Sequence, residues 1–226
     1  SEFGKIFYWL LQALRLGRYS GSSNSALDED LREIGNANTL EDALTAMLAR
    51  LRYVPPMEAK DFLRDYSDSR FGRLLLYLIA YSNQAQDWDQ AGLRIGFDSD
   101  DLVAGFEPQY HHVFPRKFLQ GKVPAESIEA LANIAVIGPK INIRISAQDP
   151  MNYVKKYKIS EPKLKQQHIF DLSSTAVDDF PSWLQQRAEL LTKAANEFLE
   201  SQRGGLALPA VVSAADADVQ LMDAAE

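Results

Sequence analysis

The sequence predicts a mostly α-helical protein with one small ββα core, in which two short strands are followed by a helix. Apolar residues recur every three or four positions in several stretches, the period of a helix that buries one face. Residues that commonly cap helices precede several of these stretches. Between Tyr110 and Asn142 the pattern changes to short apolar runs interrupted by Gly138-Pro139. We therefore place the two strands and the helix of the core there.

The first part of the chain, residues 1–92, is interpreted as a helical scaffold. It begins Ser1-Glu2-Phe3 without methionine, which we attribute to cloning and leave out of the fold prediction; we expect a fragment of a longer protein. This part shows no phosphate-binding loop or nucleotide fingerprint, so no nucleotide hydrolysis is assigned to it. Five helices are predicted here: Phe7–Leu16, 25–34, a helix from Leu40 capped by Thr39, Ala59–Tyr66 and Arg70–Ser82.

The second part, residues 93–204, contains the ββα core and its closing helices. A short strand is predicted over Leu93–Phe97, followed by an acidic turn at 98–101. The core then runs through a strand ending in His111-His112, a helix over Ala125–Ala132, a loop with Asn133, a second strand, and a helix that starts at Pro139. Asp149 is the expected cap of a further helix, and a long helix is expected over Phe180–Gln202. Residues 205–226 are interpreted as a flexible acidic tail.

Composition limits the classes of protein to consider. The hydrophobic content of 46% suffices for a packed core, and no apolar stretch is long enough to span a membrane. The chain contains no cysteine and shows no signal peptide, which favours a cytoplasmic location. The net charge is −7, yet residues 116–167 hold ten basic and four acidic residues. This segment thus carries a net charge of +6, and the remainder of the chain carries −13. A basic patch on an acidic protein suits weak binding of a phosphate backbone at that patch.

Two of the three histidines are adjacent, at His111 and His112. Neighbouring residues on a strand point to opposite faces, so the two imidazoles are expected to have different roles. One can hold a divalent metal while the other acts on a water or a proton, because histidine is suited to both roles. Asn133 follows His112 by 21 residues, and Asn142 follows nine residues later. An asparagine oxygen is a hard ligand, which suits Mg²⁺ or Mn²⁺.

These residues resemble a known family. The segments that carry the resemblance are His-His-Val-Phe-Pro-Arg at 111–116, Ala-Asn-Ile-Ala-Val-Ile at 132–137, Asn142 with Arg144-Ile145-Ser146, Pro150–Tyr153, and Phe-Pro-Ser-Trp-Leu-Gln-Gln-Arg at 180–187. The pattern is similar to HNH nucleases with a ββα-metal core. It most resembles the C-terminal nuclease domain of GmrSD-like type IV restriction endonucleases, which phosphorothioate-sensing anti-phage proteins of the SspE type share. The resemblance is specific over Tyr110–Tyr153 and looser in the flanking helices.

The resemblance implies a metal-dependent DNA endonuclease that acts as the effector of a bacterial anti-phage restriction protein. It implies His112 as the general base, His111 and Asn142 as ligands of one Mg²⁺ or Mn²⁺ ion, and Asn133 as a brace for the loop. It also implies an N-terminal sensor domain in the same full-length protein. The family often has histidine where Asn142 stands. From the local charge we add four candidate phosphate contacts: Arg116, Lys117, Lys140 and Arg144.

Other interpretations fit parts of the same pattern. A His-His pair before an apolar residue and proline is also a common strand end. Asn133 alone fits a cap or a turn, and Asn142 alone fits the first turn of a helix. Only their combination indicates a nuclease. One alternative function is a degenerate HNH-fold module that binds DNA or protein without cleaving. Another is an interaction domain that regulates an enzymatic N-terminal half. RNA remains an alternative substrate.

Overall fold

The computed structural model describes residues 1–96, 108–170, 172 and 177–209, and this part of the chain is mostly helical with one two-stranded antiparallel sheet. The prediction of a mostly α protein with a small sheet is thus confirmed. The elements in chain order are α1 (Glu2–Arg15), α2 (Ser23–Asn36), α3 (Leu40–Ala49), α4 (Ala59–Phe62), α5 (Arg70–Ser82), β1 (Gln109–His112), α6 (Arg116–Leu119), α7 (Ala125–Ile128), β2 (Ile134–Ile137), α8 (Pro139–Ile145), α9 (Pro150–Lys156), α10 (Glu161–Lys165) and α11 (Phe180–Arg203), with short 3₁₀ turns at Leu131–Asn133 and Val177–Asp179.

The chain divides into two compact units. Among the described residues, one unit contains Ser1–Pro56 and residues 199–209, and the other contains those between Met57 and Phe198. The boundaries at residues 92 and 204 that we drew from the sequence stay predictions. No helix in the part of the chain that the structure describes combines the length and the apolar character needed to cross a bilayer.

In the first unit, helix α1 begins earlier than the sequence suggested. The hydroxyl of Ser1 accepts a hydrogen bond from the backbone N–H of Gly4 at 3.2 Å, so the helix includes residues that we had set aside. Helix α3 begins as predicted, because the Thr39 hydroxyl accepts from the Asp42 N–H at 3.1 Å. Both helices thus start where a short hydroxyl side chain satisfies a free backbone donor.

The sheet lies at the centre of the second unit. Strands β1 and β2 pair antiparallel, with His111 opposite Ala135 and His112 opposite Ile134. All four residues of β2 are buried, so the strand that pairs with the two histidines is shielded from solvent. Just past the sheet, the Val113 N–H donates to the Asn133 carbonyl at 2.8 Å, which extends the pairing by one bond.

Two side chains complete the backbone hydrogen bonds of β2. The Gln167 amide accepts from the Val136 N–H and donates to the Val136 carbonyl, both at 2.7 Å, as a third strand would. The buried guanidinium of Arg187, on α11, donates to the carbonyls of Ala132 at 2.6 Å and Ile134 at 2.8 Å. A two-stranded sheet is marginal by itself. Here side chains satisfy polar groups that would otherwise be buried without partners.

The start of helix α8 is fixed by a buried carboxylate. Oδ1 of Asp87 accepts from the backbone N–H of Gly138 at 2.8 Å and from its neighbour Trp88 at 2.8 Å. A Cβ atom at residue 138 would lie 2.4 Å from Oδ2 of Asp87, so only glycine allows this approach. Pro139 follows at the first helical position, as predicted. This arrangement sets the direction of the helix that carries Asn142.

Three further predictions of secondary structure were wrong in extent or type. Residues 93–96 form no strand beyond a single bridge between Gln86 and Arg94, and Gly92 and Gly96 both have positive φ. Helix α4 ends at Phe62 rather than Tyr66, and α7 ends at Ile128 rather than Ala132, where a 3₁₀ turn takes over. Phe97, the acidic turn at 98–101 and most of the predicted tail lie outside the described residues.

Candidate active site

A cleft of about 320 Å³ opens in the second unit beside the end of β1. The residues that line it come from β1, from the start of α6, and from α8 and the turn after it. They are Tyr110, His111, His112, Pro115, Arg116, Lys117, Asn142, Ser146 and Ala147. The cleft thus brings together both histidines and the second asparagine of the pattern found in the sequence.

His111 and Asn142 face each other directly. The imidazole Nδ1 of His111 lies 2.8 Å from Oδ1 of Asn142. The Asn142 amide nitrogen makes a longer contact of 3.5 Å with the side-chain oxygen of Gln109, which keeps its oxygen toward the histidine. Behind His111, the rings of Trp88 and Tyr153 meet its imidazole edge-on at centroid distances of 5.8 and 6.0 Å. The imidazole therefore has little freedom to turn.

The surroundings of His111 suit a neutral metal ligand. Burial lowers the pKa of His111 to about 4, against a weaker opposing effect of the hydrogen bond to Asn142. Nδ1 and the facing Oδ1 are both lone-pair donors when Nδ1 is unprotonated. Two ligands at right angles on an octahedral ion, each about 2.1 Å from it, lie about 3 Å apart. The observed 2.8 Å matches that spacing, so the pair fits adjacent positions on Mg²⁺ or Mn²⁺.

The protein offers few further ligands at this position. Across residues 1–96, 108–170 and 177–209, no group of three or more His, Cys, Asp or Glu side chains is placed to hold a metal ion. One imidazole and one amide oxygen form a sparse donor set. Such a set leaves most coordination positions to water or phosphate, which favours low intrinsic affinity.

His112 has different neighbours from His111, as strand geometry requires. Its Nε2 lies 3.1 Å from Oε2 of Glu129, and the ring of Tyr66 meets its imidazole edge-on at 5.3 Å. Burial lowers the pKa of His112, and the negative charge and hydrogen bond of Glu129 oppose that shift. A largely buried histidine that is neutral near pH 7 can accept a proton.

Asn133 lies outside the cleft and is fully buried. Its side-chain oxygen accepts from the Phe114 N–H at 3.0 Å, and its amide donates to the carbonyls of Phe114 at 3.1 Å and Ile128 at 2.9 Å. These bonds join the chain after β1 to the end of α7. This geometry is what a bracing role requires, since it holds the loop next to His112 without reaching the cleft.

The four candidate phosphate contacts divide into two pairs. Arg116 and Lys117 are exposed and line the cleft. Lys140 and Arg144 are exposed on α8 and do not line it. Each lies two positions from Asn142, which is close to half a turn around the helix, so they face away from it. Only the first pair lines the cleft that also contains the histidines.

Two residues next to the histidines were not singled out from the sequence, namely Trp88 and Glu129. Tyr153 ends the segment Pro150–Tyr153 that carries part of the resemblance, and its hydroxyl donates to the Val113 carbonyl at 2.8 Å. Glu129 is separated from His112 by 17 residues. It occupies no motif position, and no local pattern in the sequence distinguishes it from an exposed helix carboxylate.

No protein-family model matches the chain, and no solved structure matches it. The chain is similar to an uncharacterized protein of Methanocaldococcus jannaschii, with 24% identity over 160 residues. The aligned region covers 69% of this chain and 25% of that protein, so the chain spans about a quarter of the length of the curated relative it matches. This likeness assigns neither a family nor an activity.

Proposed function

We propose that this chain is a metal-dependent HNH DNA endonuclease that acts as the effector domain of a bacterial anti-phage restriction protein. The observation that carries the proposal is the meeting of His111, His112 and Asn142 on one cleft. The order of β1, β2 and α8 supports it, since the histidines lie on the first strand and Asn142 on the helix, as in a ββα-metal core. A sensor domain elsewhere in the same full-length protein is part of the proposal.

In the proposed reaction, the imidazole of His112 takes a proton from a water molecule in the cleft. The resulting hydroxide attacks phosphorus, a P–O bond forms, and the bond to the 3′ oxygen breaks. His111 and Asn142 would hold Mg²⁺ or Mn²⁺, which when bound supplies charge neutralisation at the phosphate and the leaving oxygen. Asn133 keeps the loop after β1 in place, so that His112 stays at the cleft.

Arg116 and Lys117 hold the DNA in this proposal, because both are exposed basic residues that line the cleft. Phosphate contacts of this kind position the backbone without reading sequence. The cleavage is therefore expected to have little sequence preference. The acidic remainder of the chain repels DNA, so productive binding depends on this small basic area and on the sensor domain.

The test is cleavage of supercoiled plasmid in Mg²⁺ or Mn²⁺, with His112→Ala and His168→Ala compared with the parent. His168 lies outside the cleft, so the second variant controls for losing an imidazole. We expect His112→Ala to cut at least about 100-fold more slowly, the contribution of a general base. EDTA should stop the reaction, and His168→Ala should match the parent. Equal cutting by His112→Ala and the parent would contradict the proposal.

A second candidate function is a degenerate HNH-fold module that binds DNA or regulates a partner without cleaving. The direct contact between His111 and Asn142 favours it, because the two groups can satisfy each other without an ion. Calorimetry with Mn²⁺ distinguishes the candidates. The nuclease requires binding that Asn142→Ala weakens and that Asn152→Ala, an exposed change on α9, leaves intact. Absence of Mn²⁺ binding, together with intact DNA binding, would favour the module.

A further inference from the structure

The carboxylate of Glu129 is shared between His112 and Arg116. Oε2 of Glu129 lies 3.1 Å from Nε2 of His112 and 2.6 Å from a terminal nitrogen of Arg116. The guanidinium also donates to the Tyr66 hydroxyl at 3.3 Å. The ring of Tyr66 in turn contacts the His112 imidazole edge-on. These four side chains therefore form one connected group around the proposed base.

Both backbone groups of Glu129 are hydrogen-bonded, and these bonds fix the position from which its side chain extends. The Glu129 N–H donates to the Ala125 carbonyl at 3.2 Å, at the end of α7. The Glu129 carbonyl accepts from the Tyr66 N–H at 2.8 Å. The next residue, Ala130, forms a bridge with Asp65. This anchoring is independent of the ion pair with Arg116.

The contact with Glu129 determines which nitrogen of His112 carries hydrogen. A carboxylate oxygen that bears no proton only accepts hydrogen bonds, and Oε2 of Glu129 already accepts one from the Arg116 guanidinium at 2.6 Å. Nε2 of His112 is thus the donor. In a neutral imidazole the other nitrogen, Nδ1, then carries a lone pair. Among the described residues, Nδ1 has no hydrogen-bond partner, so it is left for a molecule in the cleft.

We propose that Glu129 is a positioning residue that holds His112 in the Nε2–H tautomer and thereby leaves Nδ1 to accept the proton of the attacking water. The inference rests on the proposed nuclease function. When the proton is transferred, it ends on Nδ1 and the ring becomes a cation, with Nε2–H still bonded to the carboxylate. The negative charge of Glu129 then faces the positive charge that develops on the ring. A carboxylate placed in this way orients the base and stabilises its charged form.

The test replaces Glu129 with leucine, which keeps bulk and removes the acceptor. Glu126→Leu is the matched control, because Glu126 is an exposed carboxylate on α7, the short helix that Glu129 caps. The readout is the tautomer of His112 by ¹⁵N NMR at pH about 8.5, where an imidazole is neutral. The chain has three histidines, so His112→Ala and His168→Ala assign the signals. Thermal melts of both leucine variants confirm that they remain folded.

We expect the parent and Glu126→Leu to show Nε2–H at His112, and Glu129→Leu to show a mixture of tautomers. Plasmid cutting by Glu129→Leu should fall at least about tenfold. A protonated Nδ1 in the parent, or an unchanged tautomer in Glu129→Leu, would overturn the role of Glu129. A change in stability without a change in tautomer would also overturn it, since it would mean a structural role only.

The same experiments separate failure of this inference from failure of the nuclease proposal. If His112→Ala is inactive while Glu129→Leu cuts like the parent, His112 remains the base and the role of Glu129 is wrong. If the parent and His112→Ala cut alike, the nuclease assignment fails, and with it the need for a positioned base. Whichever of these results is found, the NMR measurement reports the contact between Glu129 and His112, because it requires neither DNA nor metal.

Discussion

The side chain of Asn133 makes three hydrogen bonds although none of its surface reaches solvent. Two of them join its amide to both backbone groups of Phe114, and the third reaches Ile128. Each partner is a main-chain group that would otherwise be buried without a partner. A buried polar group that loses its hydrogen bond costs more than the bond itself contributes. The position therefore affects stability, and through the loop it also affects His112.

Replacing Asn133 with alanine removes all three bonds at once. We expect the free energy of unfolding to fall by about 3 kcal/mol, because three backbone groups lose their partner in a dry environment. Urea unfolding followed by circular dichroism measures the change. Asn152→Ala serves as the control, since it removes the same amide from an exposed position and should change stability by less than about 0.5 kcal/mol. Equal effects of the two substitutions would contradict the bracing role.

At the scale of elements, the position of α8 depends on Asp87. Burial raises the pKa of Asp87, as does the nearby charge of Asp89, whereas its backbone bonds and Lys163 lower it. The net effect is a raised pKa in the folded protein. The folded state thus favours the neutral carboxyl of Asp87. The contribution of Asp87 to the free energy of unfolding is therefore fully present below the pKa that this carboxyl has in the unfolded chain. It is lost as pH rises through the folded pKa.

Asp87→Asn should therefore become more stable relative to the parent as pH rises. The asparagine oxygen can still accept from Gly138 and Trp88, because both bonds use one oxygen of the native carboxylate. Well below about pH 3.9 the carboxyl is neutral in the folded and unfolded states, so the stability difference between the two proteins no longer varies with pH there. Chemical unfolding of both proteins from acid to neutral pH measures the difference. A stability difference that does not vary with pH would show that burial of the charge is unimportant at this position.

Some elements could be predicted from the sequence because their determinants are local. Helix α5 has the predicted bounds, since Ser69 caps it and its apolar positions repeat with the helical period. The strand predicted to begin at Leu93 is absent over the described residues 93–96, because alternating side chains alone do not provide a neighbouring strand. Gln167 and Arg187, which complete β2, act across 31 and 53 residues, and no local pattern indicates such contacts. The same holds for Glu129, whose importance depends on a fold that brings it to His112.

For the whole molecule, charge distribution matters more than net charge. The segment 116–167 carries +6, and its exposed residues include both cations at the cleft. Counterion release makes binding to DNA depend steeply on salt, with a slope close to the number of phosphates contacted. A protein with only a small basic area contacts few phosphates, so its affinity for DNA should change little with salt concentration. Its affinity at physiological salt should accordingly be weak without a further DNA-binding domain.

Lys117→Gln should reduce the slope of log Kd against log salt by about 1, because one phosphate contact is lost. Fluorescence anisotropy with a labelled duplex, in the absence of divalent metal, measures this slope between about 50 and 200 mM salt. Lys193→Gln is the control, because Lys193 is an exposed cation on α11, away from the cleft residues. If both substitutions lower the slope equally, DNA binds through diffuse charge rather than at the cleft.

The packing of Trp88 against His111 also gives the protein an optical signal. An indole ring 5.8 Å from the imidazole is close enough for its fluorescence to be quenched by a paramagnetic ion held at that histidine. Of the other two tryptophans, Trp9 lies in the first unit and Trp183 packs against Phe114. Titration with Mn²⁺ should dim the Trp88 emission, and Trp88→Phe should lose that response. Occupancy of the proposed metal site could then be followed in solution without DNA and without catalysis.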